Sequence, residues 1–292
     1  MPELPEVEVL VRHLRPQLLG RSIRGLTVRR RLVLDPTTPA ALARVLVGAT
    51  FGDVRRRGKF LLFSLASPRR ARSVLLVGHL GMTGRMYLAA PAAPLAKHAA
   101  VVLDLGGDRF IFEDTRYFGR LTLDTSSLER LGPEPLETAF NVEEFGVALA
   151  RSAQAIKVKL LDQSLVAGVG NIYASEALFR AGISPRLAAR RLRPRQVARL
   201  WSAIREVLAE AIAGGSTLPL DWSGRQGRDG LFYFGRAEGA GDFYDERLQV
   251  YDRAGRDCRR CGAKIVRIVQ AARSTFFCKR CQTGASAADG SR

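Results

Sequence analysis

The chain has 292 residues, 47% of them hydrophobic, enough for a buried core in two domains or two plus an appendage. Lys and Arg number 46 against 28 acids, a formal charge of +18, which points to a polyanionic partner unless the genome simply uses Arg freely. No uncharged apolar run approaches the roughly 20 residues of a membrane helix, and the four cysteines, all between residues 258 and 281, are not a framework of disulfides spread over a secreted fold.

The chain opens "MPELPEVEVL", with acids where a secretory signal carries bases, so a cytoplasmic protein is expected. Val7, Val11, Leu14 and Leu18 recur at spacings of three and four, predicting a helix over residues 5–19. Pro5 fits its first turn, where a missing N–H costs nothing. Glu6 lies near the helix N-terminus, where an anion is favoured and can accept backbone N–H bonds. Glu8 is expected on the solvated face. From about residue 22 to 125, short apolar runs are broken by Gly, Pro and Asp, and "LGGDRF" is a tight-turn signal. One helix and many strands predict a β-sandwich or flattened barrel. Four bases crowd residues 55–59: Arg55, Arg56, Arg57 and Lys59.

"LGPEPLETAFN" reads as a linker, and the texture is helical from there to about residue 214. In "LLDQSLVAGVGNIYASEALFRAGISP", Gly168 and Gly170 permit a tight turn and Asn171 suits the cap of a helix starting at Ile172. Lys157 and Lys159 precede it. Such a turn can offer backbone N–H groups to an anion, and plain helix–turn–helix packing explains it equally well. A helix over 194–213 begins with Pro194, stops at Gly214-Gly215, and puts Val197, Trp201, Ile204 and Leu208 on one side.

Residues 215–247 are rich in Gly, Arg and aromatics and lack a period, which predicts a long loop. Cys258, Cys261, Cys278 and Cys281 form C-x2-C-x16-C-x2-C. That spacing closes a tetrahedral four-thiolate site, so one structural zinc ion is expected, with two redox pairs as the alternative. Two strand-like runs between the pairs predict a hairpin carrying Arg267 and Arg273. The tail over 284–292 is expected to be disordered.

"PELPEVE", "DQSLVAGVGNIYASE" and the four-Cys unit with "RSTFFCKRCQ" together resemble the formamidopyrimidine-DNA glycosylase family over nearly the whole chain. The resemblance implies an α+β multidomain fold: an N-terminal β-sandwich with a leading helix (1–134), a helix-two-turn-helix domain (135–214), a lesion loop (215–247) and a zinc-finger hairpin (248–283). It implies a bifunctional glycosylase and AP lyase of base excision repair, acting as a monomer on damaged duplex DNA. Pro2, exposed by removal of Met1, would be the nucleophile and Glu3 the general acid–base group, its pKa raised by burial beneath a bound base. Lys59, as a strand lysine, and Arg273 would act on the phosphates flanking the lesion, and Glu6 would help hold the terminus, with a secondary catalytic role. Met82 would fill the gap left by the extruded base, Phe118 would insert into the stack, and Arg116 would read the orphaned partner base. His98, Asn171 and Lys157 would complete the DNA contacts. Leu4 favours the oxidised-purine branch over endonuclease VIII-like enzymes for oxidised pyrimidines. A zinc-containing nucleic-acid binder without catalysis is the rival from another class. The stretch from Gly214 to Leu248, with Trp222, Phe232, Tyr233, Phe234, Phe243 and Tyr244, is longer than the family pattern leads one to expect.

Overall fold

The computed structural model describes residues 2–67, 73–215 and 248–283. The expectations for the aromatic-rich loop beyond Gly215 and for the tail lie outside those residues. The chain divides into two compact units, Met1–Glu129 with Ile212–Gly239, and Arg130–Ala211 with Ala240–Arg292.

The first unit opens with α1 (Leu4–Leu18), whose Leu4, Val7, Val11, Leu14 and Leu18 are buried. The three- and four-residue spacing places them on one face. Among the described residues eight strands follow: β1 (Gly25–Val28), β2 (Thr50–Arg57), β3 (Phe60–Ala66), β4 (Val74–His79), β5 (Gly84–Ala89), β6 (Ala99–Asp104), β7 (Arg109–Asp114) and β8 (Arg120–Thr122). They make two four-stranded antiparallel sheets, ordered β1-β6-β7-β5 and β2-β3-β4-β8. Along β3, burial alternates residue by residue, the mark of a strand with one face in the core. Phe51 and Phe63 of one sheet meet Phe110 of the other at ring centroid distances of 6.4 and 5.6 Å. The expected sandwich is present. "LGGDRF" is the expected turn, with the Leu105 N–H donating to Asp108 O.

The expectation of a single helix here is corrected by α2 (Pro39–Leu46). Its start signal was legible: the Thr38 hydroxyl accepts the Ala41 N–H and Pro39 occupies the first turn. A one-turn α3 (Ser126–Glu129) closes the unit.

The second unit holds α4 (Val142–Ala150), α5 (Ile156–Lys159), α6 (Asn171–Arg180) and most of α7 (Pro194–Gly215), with a 3-10 turn at Ala189–Arg191. On α7, Val197, Ile204 and Leu208 are buried, and the Trp201 indole stacks on Phe140 and donates to its carbonyl at 2.8 Å. Asn171 is not the cap residue. Gly170 holds that position and Asn171 is the first helical residue, which turns its amide to other partners. The unit ends in the hairpin β9 (Ile265–Gln270) and β10 (Arg273–Cys278).

Candidate active site and nucleic-acid interface

In the first unit, Pro2 is buried and Glu3 is the cap residue of α1. The Glu3 N–H donates to Glu6 Oε2 at 2.8 Å, within a reciprocal capping box. Glu3 and Glu6 are 1% and 5% exposed, so the end of the chain is held by buried acids where most termini fray.

Lys59 was expected on a strand. It sits in the two-residue turn joining β2 and β3, where Arg57 pairs with Phe60. Gly58 takes φ 56°, the left-handed backbone such a hairpin turn requires. Arg56 Nη1 donates to Gly58 O at 3.1 Å, and Arg56 Nε donates to Glu8 Oε2 at 2.9 Å. The other Glu8 oxygen accepts from Arg12 at 2.8 Å, and the two guanidinium groups hold the carboxyl below its usual range against the cost of burial. Glu8 is therefore no solvated bystander. It ties the turn carrying Lys59 to the helix that begins beside Pro2.

The His79 ring lies tilted against Phe60 with centroids 4.8 Å apart, and its Nδ1 accepts the Gly81 N–H at 3.2 Å. Burial, with the charges of Lys59 and Arg120, pushes its pKa down to about 4, so the neutral ring carries its proton on Nε2.

Met82, Arg116 and Phe118 come together. Arg116 Nη1 lies 3.4 Å from the Met82 sulfur, and its guanidinium covers the Phe118 ring at 4.7 Å. Met82 is 40% and Phe118 53% exposed, unusual for large apolar side chains that could have joined the core. Asp114, fully buried, organises both loops. It accepts from the Thr83 hydroxyl at 2.6 Å, the Arg116 N–H at 3.1 Å and the Gly119 N–H at 2.7 Å. A Cβ on Gly81 would meet Gly119 N at 2.6 Å, so only glycine lets the loops close this far. His98 is placed beside this group, its Nδ1 3.3 Å from the Tyr117 hydroxyl.

In the second unit, Lys157, expected to contact DNA, is held inside the fold. Its side chain is buried, and Nζ donates to Asn171 Oδ1 at 2.6 Å and Thr275 Oγ1 at 3.4 Å. A lysine enclosed this way orients Asn171. Asn171 Nδ2 donates to Ser274 O at 2.9 Å, next to Arg273, which is exposed at the start of β10. Glu176, further along α6, accepts the N–H groups of Gln249, Val250 and Tyr251, although burial pushes its carboxyl up.

The four cysteine sulfurs all lie within 4.8 Å of one another, with Cys258–Cys281 at 3.8 Å and Cys261–Cys278 at 3.5 Å. A tetrahedral ion with metal–sulfur bonds of about 2.3 Å needs sulfurs about 3.8 Å apart. The donor set fits zinc.

Family models for the formamidopyrimidine-DNA glycosylase N-terminal domain, its H2TH domain and the zinc finger found in FPG and IleRS match residues 1–121, 131–220 and 257–284. The formamidopyrimidine-DNA glycosylase of Desulfitobacterium hafniense is 43% identical over 289 residues, covering 97% of this chain and 100% of the relative. The chain belongs to the formamidopyrimidine-DNA glycosylase family. It is a DNA glycosylase of base excision repair. The Thermus thermophilus formamidopyrimidine-DNA glycosylase is 45% identical over 290 residues, covering 97% and 98% of the two chains. Among solved structures, Lactococcus lactis Fpg in complex with N7-benzyl-Fapy-dG DNA has a TM-score of 0.83 at 33% identity, covering 96% of this chain and 99% of that one. The same enzyme with abasic-site DNA has a TM-score of 0.83 at 32% identity and the same coverage.

Against that family pattern, reading the sequence alone missed Asp114, the Glu8–Arg56 link and the Glu176 clasp. Asp114 had a signal: an acid two residues before Arg116 in a glycine-ended loop suits an Asx turn. Glu8 and Glu176 had none, because their partners lie 48 and more than 70 residues away.

Proposed function

We propose that this glycosylase excises oxidised purines from duplex DNA and then cleaves the strand as an AP lyase, using Pro2 as nucleophile. The observation that carries the reading is the capped terminus: a buried proline directly before α1, followed by two buried acids that close a capping box with the backbone beside it. A binding protein has no use for such an arrangement.

The secondary amine of processed Pro2 attacks C1′ of the damaged nucleotide. A C–N bond forms, the glycosidic bond breaks, and the base leaves with a proton. Glu3 protonates the ring oxygen as the sugar opens, which leaves an iminium ion. That ion acidifies the C2′ proton, and its removal expels the 3′ phosphate by β-elimination. A second elimination expels the 5′ phosphate, and water releases Pro2. Lys59 and Arg273 hold the flanking phosphates, Met82 fills the space left by the extruded nucleotide, Phe118 inserts into the stack, offsetting part of the few kcal/mol of unstacking, and Arg116 reads the orphaned base. Zinc, held by Cys258, Cys261, Cys278 and Cys281, supplies no chemistry, because four thiolates leave no open position. It closes the hairpin that presents Arg273.

Borohydride trapping on oligonucleotides bearing an oxidised purine, an oxidised pyrimidine or an abasic site tests the reading. Only an amine-linked iminium is reducible to a stable cross-link. Trapping on the oxidised purine and the abasic site supports it. Preferred trapping on the pyrimidine overturns the lesion choice, and absence of any adduct overturns the lyase.

A further inference from the structure

Residues 177–205 contain no Asp or Glu and eight arginines. Two of these are used within the fold. Arg180 pairs with Glu206 and Glu210, and Arg205 donates to the Pro135 and Glu137 carbonyls. Of the other six, Arg186, Arg190, Arg191, Arg193 and Arg199 are exposed and form no ion pair among the described residues. Elsewhere the described arginines often find carboxylates, as Arg12, Arg15, Arg21, Arg56 and Arg85 do. Uncompensated like charges this dense repel one another and cost stability unless a polyanion neutralises them.

Their placement is specific. The segment is pinned beside the Asn171 network: the Ile156 N–H donates to Leu187 O at 2.7 Å, and Gln270 Nε2 of the zinc hairpin donates to Pro185 O at 3.2 Å. The Arg186 guanidinium covers Phe277 of β10 at 5.6 Å. From there the chain passes through the Ala189–Arg191 turn into α7, whose first residues add Arg195 and Arg199. The arginine run starts against the elements that carry Lys157, Asn171 and Arg273 and extends away from them.

We infer that Arg186, Arg190, Arg191, Arg193 and Arg199 form a sequence-independent binding surface for the phosphates of duplex DNA beyond the nucleotides that flank the lesion. The inference rests on the reading of this unit as a duplex-binding module. Planar, permanently charged guanidinium groups suit phosphate oxygens and carry no base information. The surface serves residence on undamaged DNA during search and adds nothing to the chemical step.

The test uses the full-length zinc-loaded protein with Arg190→Gln, Arg191→Gln and Arg193→Gln combined, and a second variant with Lys at all three positions. Binding to an undamaged duplex is followed over a salt series. The Gln variant should show a log–log salt slope shallower by about 0.9 per lost phosphate contact, a total near 3, and at least tenfold weaker binding at low salt. The Lys variant should keep most of the slope. Single-turnover base release from a short lesion duplex at saturating enzyme should be unchanged in both. An unchanged slope in the Gln variant overturns the inference. So does an unchanged slope accompanied by lost binding to polyglutamate, which would assign the surface to an acidic protein. If the Gln variant melts at a lower temperature, Arg190→Gln alone gives the same reading with an expected slope change of about 0.9. Failure of wild type to release the base would count against the glycosylase reading and leave the slope comparison standing.

Discussion

The two units hold their functional groups in opposite ways. In the first, Glu3 and Glu6 form a reciprocal capping box with the backbone at one end of one helix, between residues three apart in sequence. In the second, Lys157, Asn171 and Thr275 satisfy one another across separations of 14 and 118 residues, and the strand that supplies Thr275 depends on a four-cysteine centre. The capping box of the first site is thus a local construction. The second is an assembly of distant segments. Disturbing one member should leave the first site's neighbours in place and should dismantle the second.

The sharpest separation comes from Glu3→Gln. It keeps the shape of the terminus and removes the acid, so base excision should fall by about 10³-fold while binding to lesion DNA stays within a few-fold. Unchanged turnover in single-turnover assays would break the assignment. Removal of zinc with a chelator should cost less, and in a different quantity. Unlinking the hairpin should reduce duplex affinity by at least tenfold, because Arg273 and the partners of Asn171 lose their support. Retained affinity in protein shown by elemental analysis to be zinc-free would contradict the dependence.

Acid should expose the first unit's own weakness. His79 has a folded pKa of about 4 against an ordinary 6.5. The unfolded chain therefore binds the proton first, and stability should fall as pH drops from about 6.5 to 4, by at most about 3 kcal/mol. Urea unfolding across that window checks it, and His79→Gln should flatten the slope. The smallest effect belongs to the zinc hairpin. Ala271 and Ala272 adopt φ 46° and 58°, left-handed backbone that costs a side-chain-bearing residue on the order of 1 kcal/mol. Ala272→Gly should raise stability by about 0.5–1 kcal/mol, seen as a higher melting temperature of the zinc-loaded protein; a lower one would show that the turn is not strained.

The same contrast explains what could be read from the sequence. Helix α1, the sandwich strands, α7 and the C-x2-C pairs each carry a period or spacing within a short window, and all are present. Where side chains answer to distant partners, the window fails. Lys157 looks like any helical lysine until Thr275 and Asn171 enclose it. Glu8 lies among polar neighbours in sequence, and its pairing with Arg56 exists only because β2 packs against α1. The start of α6 was misplaced by one residue because Asn171, a good cap by type, had better partners in Lys157 and Ser274. The family resemblance supplied roles for Pro2, Glu3 and the wedge residues that residue type alone could not.

Peptide mapping of a borohydride-reduced adduct between this protein and abasic-site DNA addresses the central mechanism directly. The cross-link should sit on an N-terminal peptide that begins at Pro2, its mass showing deoxyribose joined to the imino nitrogen and Met1 removed. A cross-link on a lysine, or full activity in protein that keeps Met1, would contradict it.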